Sequence, residues 1–128
     1  MKILIIEDNL TEAKLLKKIV LKIRDTEPIL AKDALEGFAI LRAIPDIRLV
    51  ILDYQMPYIN GLEFLKKIRS TPLFEKLPVL ISSAEDLFDK YTRAGADKVM
   101  IKPYNLSELN DFIITIKNQR IELASKTL

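Results

Sequence analysis

The stretch Leu49-Val50-Ile51-Leu52-Asp53-Tyr54-Gln55-Met56-Pro57 decides the fold. Its four apolar residues lead without interruption into a carboxylate, and Tyr58-Ile59-Asn60-Gly61 then reads as a loop before a new helix. A continuous apolar run bounded by turn residues is typical of a strand that is buried on both faces. In a parallel sheet, such a strand delivers its last residue to the crevice where α/β proteins bind ligands. We therefore expect Asp53 to stand on a rigid support at a functional edge.

The remaining apolar residues predict four further strands with helices between them. Short apolar runs occur at residues 2–6, 28–31, 78–83 and 98–101, and helices are expected over residues 10–23, 34–41, 62–69, 86–93 and from 106. Asn9 with Glu12, and Asn105 with Glu108, match an Asx form of the capping box that opens a helix. Strands that alternate with helices five times indicate one doubly wound α/β domain, with a mostly parallel sheet and helices on both faces.

Composition excludes several classes of function. The 128 residues contain no cysteine and no histidine, so disulfides, thiol chemistry and an imidazole base, zinc ligand or phosphocarrier are excluded. The net charge of +2 comes from scattered basic residues, and we therefore expect no direct nucleic-acid surface. The apolar run at residues 1–6 is too short for a secretory segment, and no run is long enough for a membrane span. A cytoplasmic setting without membrane contact is the default expectation.

The ends of the predicted strands bring a particular set of side chains to one edge of the sheet. These are Glu7, Asp8, Asp53, Ser83 and Lys102. Carboxylates about 4 Å apart repel each other by on the order of 4 kcal/mol per pair at an effective dielectric constant near 20. Such a cluster must bind a cation or hold a proton. A few carboxylates with room for water and phosphate suit Mg²⁺, and the lysine and the hydroxyl suit an anion that arrives at Asp53.

This set of residues, in this order, resembles the receiver domain of two-component response regulators. The matching motifs are Glu7-Asp8, Asp53 to Pro57 with Gly61, Ser83-Ala84, and Lys102-Pro103-Tyr104, and they span nearly the whole chain. The resemblance implies one stand-alone receiver domain over residues 1–128. It also implies a flavodoxin-like, five-stranded parallel sheet in the order 2-1-3-4-5.

The resemblance implies roles in phosphoryl transfer for three residues. Asp53 would be the nucleophile that accepts the group from a phosphohistidine, Ser83 would hydrogen-bond a phosphoryl oxygen, and Lys102 would pair with the same anion. Ser83 is preferred over Ser82 because alanine follows it, as the family pattern requires. The donor would be a histidine kinase, a phosphotransfer protein or a small phosphodonor, because this chain has no histidine. The chain would be a signalling domain and not an enzyme that acts on other substrates.

For Mg²⁺, the resemblance implies a ligand set around the same aspartate. Asp8 would bind the ion directly, together with Asp53 and the backbone carbonyl of Gln55, and Glu7 would act through a water molecule. Glu7 stands where the family more often has aspartate, and a bridging water would absorb its extra methylene. The resemblance further implies that the Lys102–Pro103 peptide bond is cis.

Other departures from the family pattern concern how a signal would leave the domain. Val99 stands where many receivers carry a tyrosine or phenylalanine that moves inward with the serine or threonine. The segment from Ser83 to Lys102 is about three residues, or close to one helical turn, shorter than is typical. It predicts a truncated fourth helix or a tight loop before it, so the face formed by the fourth helix, fifth strand and fifth helix would meet its protein partner in altered form. Residues 118–128 are predicted to extend the last helix or to form a tail, which could be the stem of an output domain.

Three other functions are compatible with a sheet of this kind. An aspartyl-phosphate phosphatase of the haloacid-dehalogenase type would have Asp-x-Asp after the first strand, where this chain has Glu7-Asp8-Asn9. A flavodoxin-like cofactor binder would have a loop rich in serine, threonine and glycine at that point, which this sequence lacks. A receiver-like scaffold that works without phosphorylation would not need all five site positions, and here all five are filled.

Overall fold

The computed structural model describes residues 1–127, and it describes side chains for residues 1–119. The strands are β1 (Lys2–Ile6), β2 (Glu27–Ala31), β3 (Ile47–Asp53), β4 (Val79–Ser83) and β5 (Lys98–Ile101). The helices are α1 (Leu10–Leu21), α2 (Ala34–Ala43), α3 (Gly61–Ser70), α4 (Phe88–Arg93) and α5 (Leu106–Thr127), with a short 3-10 turn at Pro72–Phe74. All strand pairs are parallel, in the order β2-β1-β3-β4-β5. The predicted doubly wound fold and strand order are confirmed.

The central strand β3 is enclosed on both faces, as its sequence predicts. Each residue of Leu49–Leu52 is at most 1% exposed. Because neighbouring side chains on a strand point to opposite faces, Leu49 and Ile51 pack in the layer of α1 and α5. Val50 and Leu52 pack in the layer of α2, α3 and α4. Full burial of such a side chain contributes roughly 1.5–3 kcal/mol, so β3 is a firm support for the residue that ends it.

Four of the helices begin with the same side-chain cap. The N-cap side chain accepts a hydrogen bond of 2.8–3.0 Å from the backbone N–H three residues later, in the pairs Asn9–Glu12, Asp33–Glu36, Asn60–Glu63 and Asn105–Glu108. The caps predicted at Asn9 and Asn105 are confirmed. A full capping box would also have the Glu12 side chain accept a hydrogen bond from the Asn9 N–H. This part of the prediction is wrong at α1, because the Asn9 N–H donates to Glu7 Oε1 at 3.2 Å. The Glu12 carboxylate instead accepts a hydrogen bond from Lys102 Nζ.

Helix α4 spans six residues, and the prediction of a truncated fourth helix is confirmed. It begins at Phe88 and not at the predicted residue 86, because Asp86 Oδ1 accepts a hydrogen bond from the Phe88 N–H at 3.3 Å and forms a local turn. Gly95 ends the helix with a φ of 104°. The Gly95 N–H donates to Thr92 O and the Ala96 N–H donates to Tyr91 O, which is a Schellman motif.

The last helix, α5, covers residues 118–127 of the predicted extension, and Leu128 lies outside the described residues. Among the side chains that the structure describes, Ile116 is the last residue of α5 in the core against the sheet. Within the described part of the chain, no helix combines the length and the apolar character needed to cross a membrane.

Gly61 sets the close approach of α3 to the end of β3. A Cβ atom added there would lie 2.8 Å from Asp53 O and 2.8 Å from Tyr54 Cα, which are backbone atoms. The Gly61 N–H also donates to Tyr54 O at 2.8 Å. A side chain at position 61 would therefore push α3 away from the residue that carries the site.

We expect Gly61→Ala to destabilise the protein by about 1–3 kcal/mol, the usual range for overpacking, although alanine favours helices. Urea unfolding measures the effect. Lys66→Ala, on the exposed face of the same helix, is the control and should change the free energy of unfolding by less than about 0.5 kcal/mol. Equal stability of Gly61→Ala and the wild type would contradict the role assigned to this contact.

Candidate functional site: an acidic edge with one lysine

Four charged side chains meet at the carboxyl edge of the sheet. Lys102 Nζ lies 2.8 Å from Glu12 Oε2, 3.3 Å from Asp53 Oδ1 and 3.7 Å from Glu7 Oε2. Oxygen atoms of the three carboxylates all lie within 4.8 Å of one another. One ammonium group therefore faces three acids.

Each of these side chains is positioned by a different element. Glu7 directly follows β1, and its N–H donates to Ala31 O at the end of β2 at 3.0 Å. Asp53 is the last residue of β3, and Glu12 lies in the first turn of α1. Lys102 directly follows β5, and its N–H donates to Ser83 O at 2.8 Å. The parallel register of the strands brings these distant parts of the sequence to one place.

Burial changes the acidity of two carboxyl groups. Glu7 is 3% exposed and Asp53 is 6% exposed. Burial, and then the charge of Asp53, raise the pKa of Glu7 to about 8, against the opposing effect of Lys102. Burial also raises the pKa of Asp53, while Lys102 opposes this shift. In the absence of another cation, the pair therefore tends to hold a proton near neutral pH.

The more exposed pair, Glu12 and Lys102, is shifted toward the charged forms. The hydrogen bond from Lys102 lowers the pKa of Glu12 despite partial burial. Burial alone would lower the pKa of Lys102, but the hydrogen bond to Glu12 and the charges of Asp53 and Glu7 raise it overall. Lys102 is therefore a permanent cation in this site.

The structure brings together three of the residues predicted from sequence, namely Glu7, Asp53 and Lys102. Asp8 was expected to converge with them, but it is exposed and is not one of the clustered acids. The third acid of the cluster is Glu12. Glu7 is buried and Asp8, the next residue, is exposed. The predicted role of Asp8 as a metal ligand stays a prediction.

Glu12 was missed at this site because its spacing from Asn9 was interpreted as a capping motif alone. A signal was present in the sequence: the first turn of a helix that follows a strand lies over the carboxyl edge of the sheet. Its distance to Lys102, ninety positions later in the chain, could not be deduced from spacing.

The two serines at the end of β4 have different environments. Ser83 is 3% exposed, and its Oγ accepts a hydrogen bond from the Glu85 N–H at 3.1 Å. Ser82 Oγ is 2.8 Å from the hydroxyl of Tyr104, and burial raises the pKa of that tyrosine to about 12. The role predicted for Ser83 stays a prediction.

Two other predicted features lie in loops at this edge. Gln55 lies in the exposed loop after β3, and its predicted role as a metal ligand stays a prediction. The predicted cis bond between Lys102 and Pro103 is confirmed.

The side chains present fit a hard divalent cation. Glu7 Oε2 is buried and accepts no hydrogen bond from the described residues. A buried carboxylate oxygen without a hydrogen bond is costly when it is ionised. Lys102 Nζ lies 3.7 Å from this atom, beyond hydrogen-bond distance, and the atom belongs to a group of three carboxylates. Oxygen ligands of this kind, beside an open edge, suit Mg²⁺. The acidic edge can therefore hold a metal ion as well as the lysine.

Without metal, the stability contributed by Glu7 should fall as the pH rises from about 5 to 8. The pKa of Glu7 is about 8 when folded and near 4.5 in an unperturbed glutamate, so the folded state binds more protons between these values. Each rise in pH within this window therefore favours unfolding. Urea unfolding in EDTA at several pH values, for the wild type and Glu7→Gln, measures the difference. Glu63→Gln, an exposed acid, should keep the wild-type slope, and the same slope in Glu7→Gln would contradict the assignment.

Comparison with known proteins agrees with the geometry. The response regulator receiver domain family matches residues 3–114. The chemotaxis protein CheY homolog of Campylobacter jejuni is 25% identical over 114 residues, which covers 87% of this chain and 88% of that protein. The two-component response regulator ARR17 of Arabidopsis thaliana is 30% identical over 132 residues, covering 92% of this chain and 86% of that protein. The receiver domain of the Francisella response regulator 1452 has a TM-score of 0.83 at 24% identity, with 93% and 98% of the two chains covered. The chain belongs to the response regulator receiver domain family.

Proposed function

We propose that this receiver domain is a cytoplasmic phosphoryl acceptor in a two-component system. Asp53 takes a phosphoryl group from a histidine kinase or a phosphotransfer protein in a reaction that depends on Mg²⁺. The observation that supports this most strongly is the buried Asp53 carboxylate, 3.3 Å from the Lys102 ammonium, at the end of the central strand. The domain then signals through a change in its protein contacts.

The transfer step needs a nucleophile and neutralisation of the transferred oxygens. A carboxylate oxygen of Asp53 attacks phosphorus, the P–O bond forms, and the P–N bond of the phosphohistidine breaks. The imidazole leaves with the electron pair of that bond. Lys102 pairs with a phosphoryl oxygen, and the Ser83 hydroxyl donates a hydrogen bond to another. An aspartate is a competent nucleophile against such an activated donor.

The acids of the edge hold the metal in this proposal. Asp8, Asp53 and the Gln55 carbonyl would hold it directly, and Glu7 would hold it through a water molecule. When bound, Mg²⁺ supplies positive charge to the transferred oxygens and favours the ionised form of the carboxylates. The exposed position of Asp8 leaves it open to a hydrated ion.

Ser83 connects the site to α4 in this proposal. Its Oγ accepts a hydrogen bond from the Glu85 N–H, in the loop that leads to α4. A hydroxyl that turns toward a phosphoryl group must change this contact, which shifts an existing equilibrium of the loop. The shortness of α4 and its lack of a side-chain cap make its start easy to rearrange.

A protein partner is proposed for the face formed by α4, β5 and α5. Phe88 is 55% exposed and Ile101 is 47% exposed on this face. Both line a cavity of about 630 Å³, together with Val99 and the start of α4. Exposed apolar side chains beside a concave surface are common in protein interfaces. The proposed domain acts by such contacts and is not an enzyme for other substrates.

Intact mass after incubation with Mg²⁺ and a small phosphodonor tests the proposed function. One added phosphoryl group is expected on the wild type, because Asp53 is the acceptor and needs only an activated donor. Asp53→Asn should show no adduct, and EDTA should suppress the adduct in the wild type. Asp111→Asn, which removes an exposed aspartate of α5, is the control and should be phosphorylated normally. No adduct on the wild type with saturating donor would contradict the proposal, and repeated turnover of a phosphoester would favour a phosphatase.

A further inference from the structure

Glu12 makes the shortest ion pair of Lys102 in the described part of the chain. The distance from Nζ to Glu12 Oε2 is 2.8 Å, against 3.3 Å to Asp53 and 3.7 Å to Glu7. The contact to Glu12 is also a hydrogen bond. The side chains of Lys102 and Glu12 are 21% and 41% exposed, so water screens the pair only in part. Lys102 therefore contacts α1 as well as Asp53, whose phosphoryl group it is proposed to bind.

The start of α1 directs the Glu12 side chain to this contact. Asn9 Oδ1 accepts the Glu12 N–H at 3.0 Å, which fixes the first turn. The Asn9 N–H is occupied by Glu7 Oε1, so the Glu12 carboxylate takes no part in the cap. Glu63 has the same position in α3, three residues after the N-cap Asn60, but it is exposed and makes no ion pair within the described side chains. The contact with Lys102 therefore does not follow from capping itself.

We propose that Glu12 is a positioning residue that holds Lys102 in the resting protein and competes with the phosphoryl group for its ammonium. The inference rests on the proposed role of Asp53 as phosphoryl acceptor. An ammonium group has three N–H donors, and Lys102 Nζ already lies 2.8–3.7 Å from oxygens of three carboxylates. The oxygens of a phosphoryl group on Asp53 compete with them for these donors. The charge-assisted bond to Glu12 must then lengthen or break. Glu12 thereby favours the unphosphorylated state.

The alternative role for Glu12, a metal ligand, predicts the opposite sign. Its oxygen lies within 4.8 Å of oxygens of Glu7 and Asp53, so Glu12 could share a cation with them. Its loss would then weaken Mg²⁺ binding and lower occupancy by a phosphoryl group. Under the proposal, its loss frees Lys102 for the anion and raises occupancy. The direction of the effect separates the two roles.

Beryllofluoride, which mimics a phosphoryl group on a carboxylate, tests the competition at equilibrium. The protein is titrated at saturating Mg²⁺ and binding is followed by amide NMR. Glu12→Gln should lower the half-saturating concentration by about 3- to 10-fold, the range for loss of a partly exposed charge-assisted bond. Glu63→Gln removes the same charge at the equivalent position of α3, and its half-saturating concentration should match that of the wild type. An affinity of Glu12→Gln equal to or weaker than that of the wild type overturns the proposal.

A second measurement reports on Lys102 directly. The side-chain ammonium and ε-methylene resonances of Lys102, assigned by their loss in Lys102→Met, should move in Glu12→Gln and stay in place in Glu63→Gln. Unchanged Lys102 resonances in Glu12→Gln overturn the proposal even if affinity changes. If the wild type binds beryllofluoride and Glu12→Gln binds it no more tightly, only the role of Glu12 is overturned. A wild type that binds no beryllofluoride overturns the proposed function, and the competition with it.

Discussion

The burial of Glu7 and Asp53 beside a single lysine is the constraint on which the site depends. Both carboxyl groups lie at the edge of the sheet with little access to water, and Lys102 is shared by three acids. Burial raises the pKa of both groups, and Glu7 Oε2 accepts no hydrogen bond from the described residues. In the resting protein, the negative charge of these acids is therefore compensated by Lys102 and by a bound proton. A divalent cation or a change in the position of Lys102 can alter that balance, as the proposed phosphorylation of Asp53 requires.

The fold supports this arrangement at some distance from the charges. The apolar residues of β3 anchor Asp53 between two layers of helices, and Gly61 permits α3 to start against the backbone of Asp53 and Tyr54. Lys102 depends on β5, which joins the sheet through β4. Small changes in the packing of these strands therefore change distances between charges. Asp53 is held firmly because β3, the strand that carries it, belongs to the most buried part of the chain.

Sequence patterns predicted the features that arise from local chemistry and periodicity. The buried strand and the caps at Asn9 and Asn105 are of this kind. The order of the sheet and the short α4 were instead implied by the resemblance to receiver domains, the latter from the spacing between Ser83 and Lys102. Glu12 was missed at the site because its pairing with Lys102 depends on how α1 packs over the edge of the sheet. Asp8 was expected in the cluster, but it is exposed beside the buried Glu7, and Glu12 is the third acid of the group. The start of α4 was misplaced because the Asp86 side chain forms a turn with the Phe88 N–H.

The most direct test of the account is whether Mg²⁺ displaces a proton from the acidic edge when it binds. Calorimetric titration near neutral pH, in two buffers with different enthalpies of ionisation, counts the protons released. Because the pKa of Glu7 is about 8 without metal, Mg²⁺ binding should release protons in the wild type and fewer in Glu7→Gln. Binding without proton release, equal release in Glu7→Gln, or no Mg²⁺ binding would contradict the account.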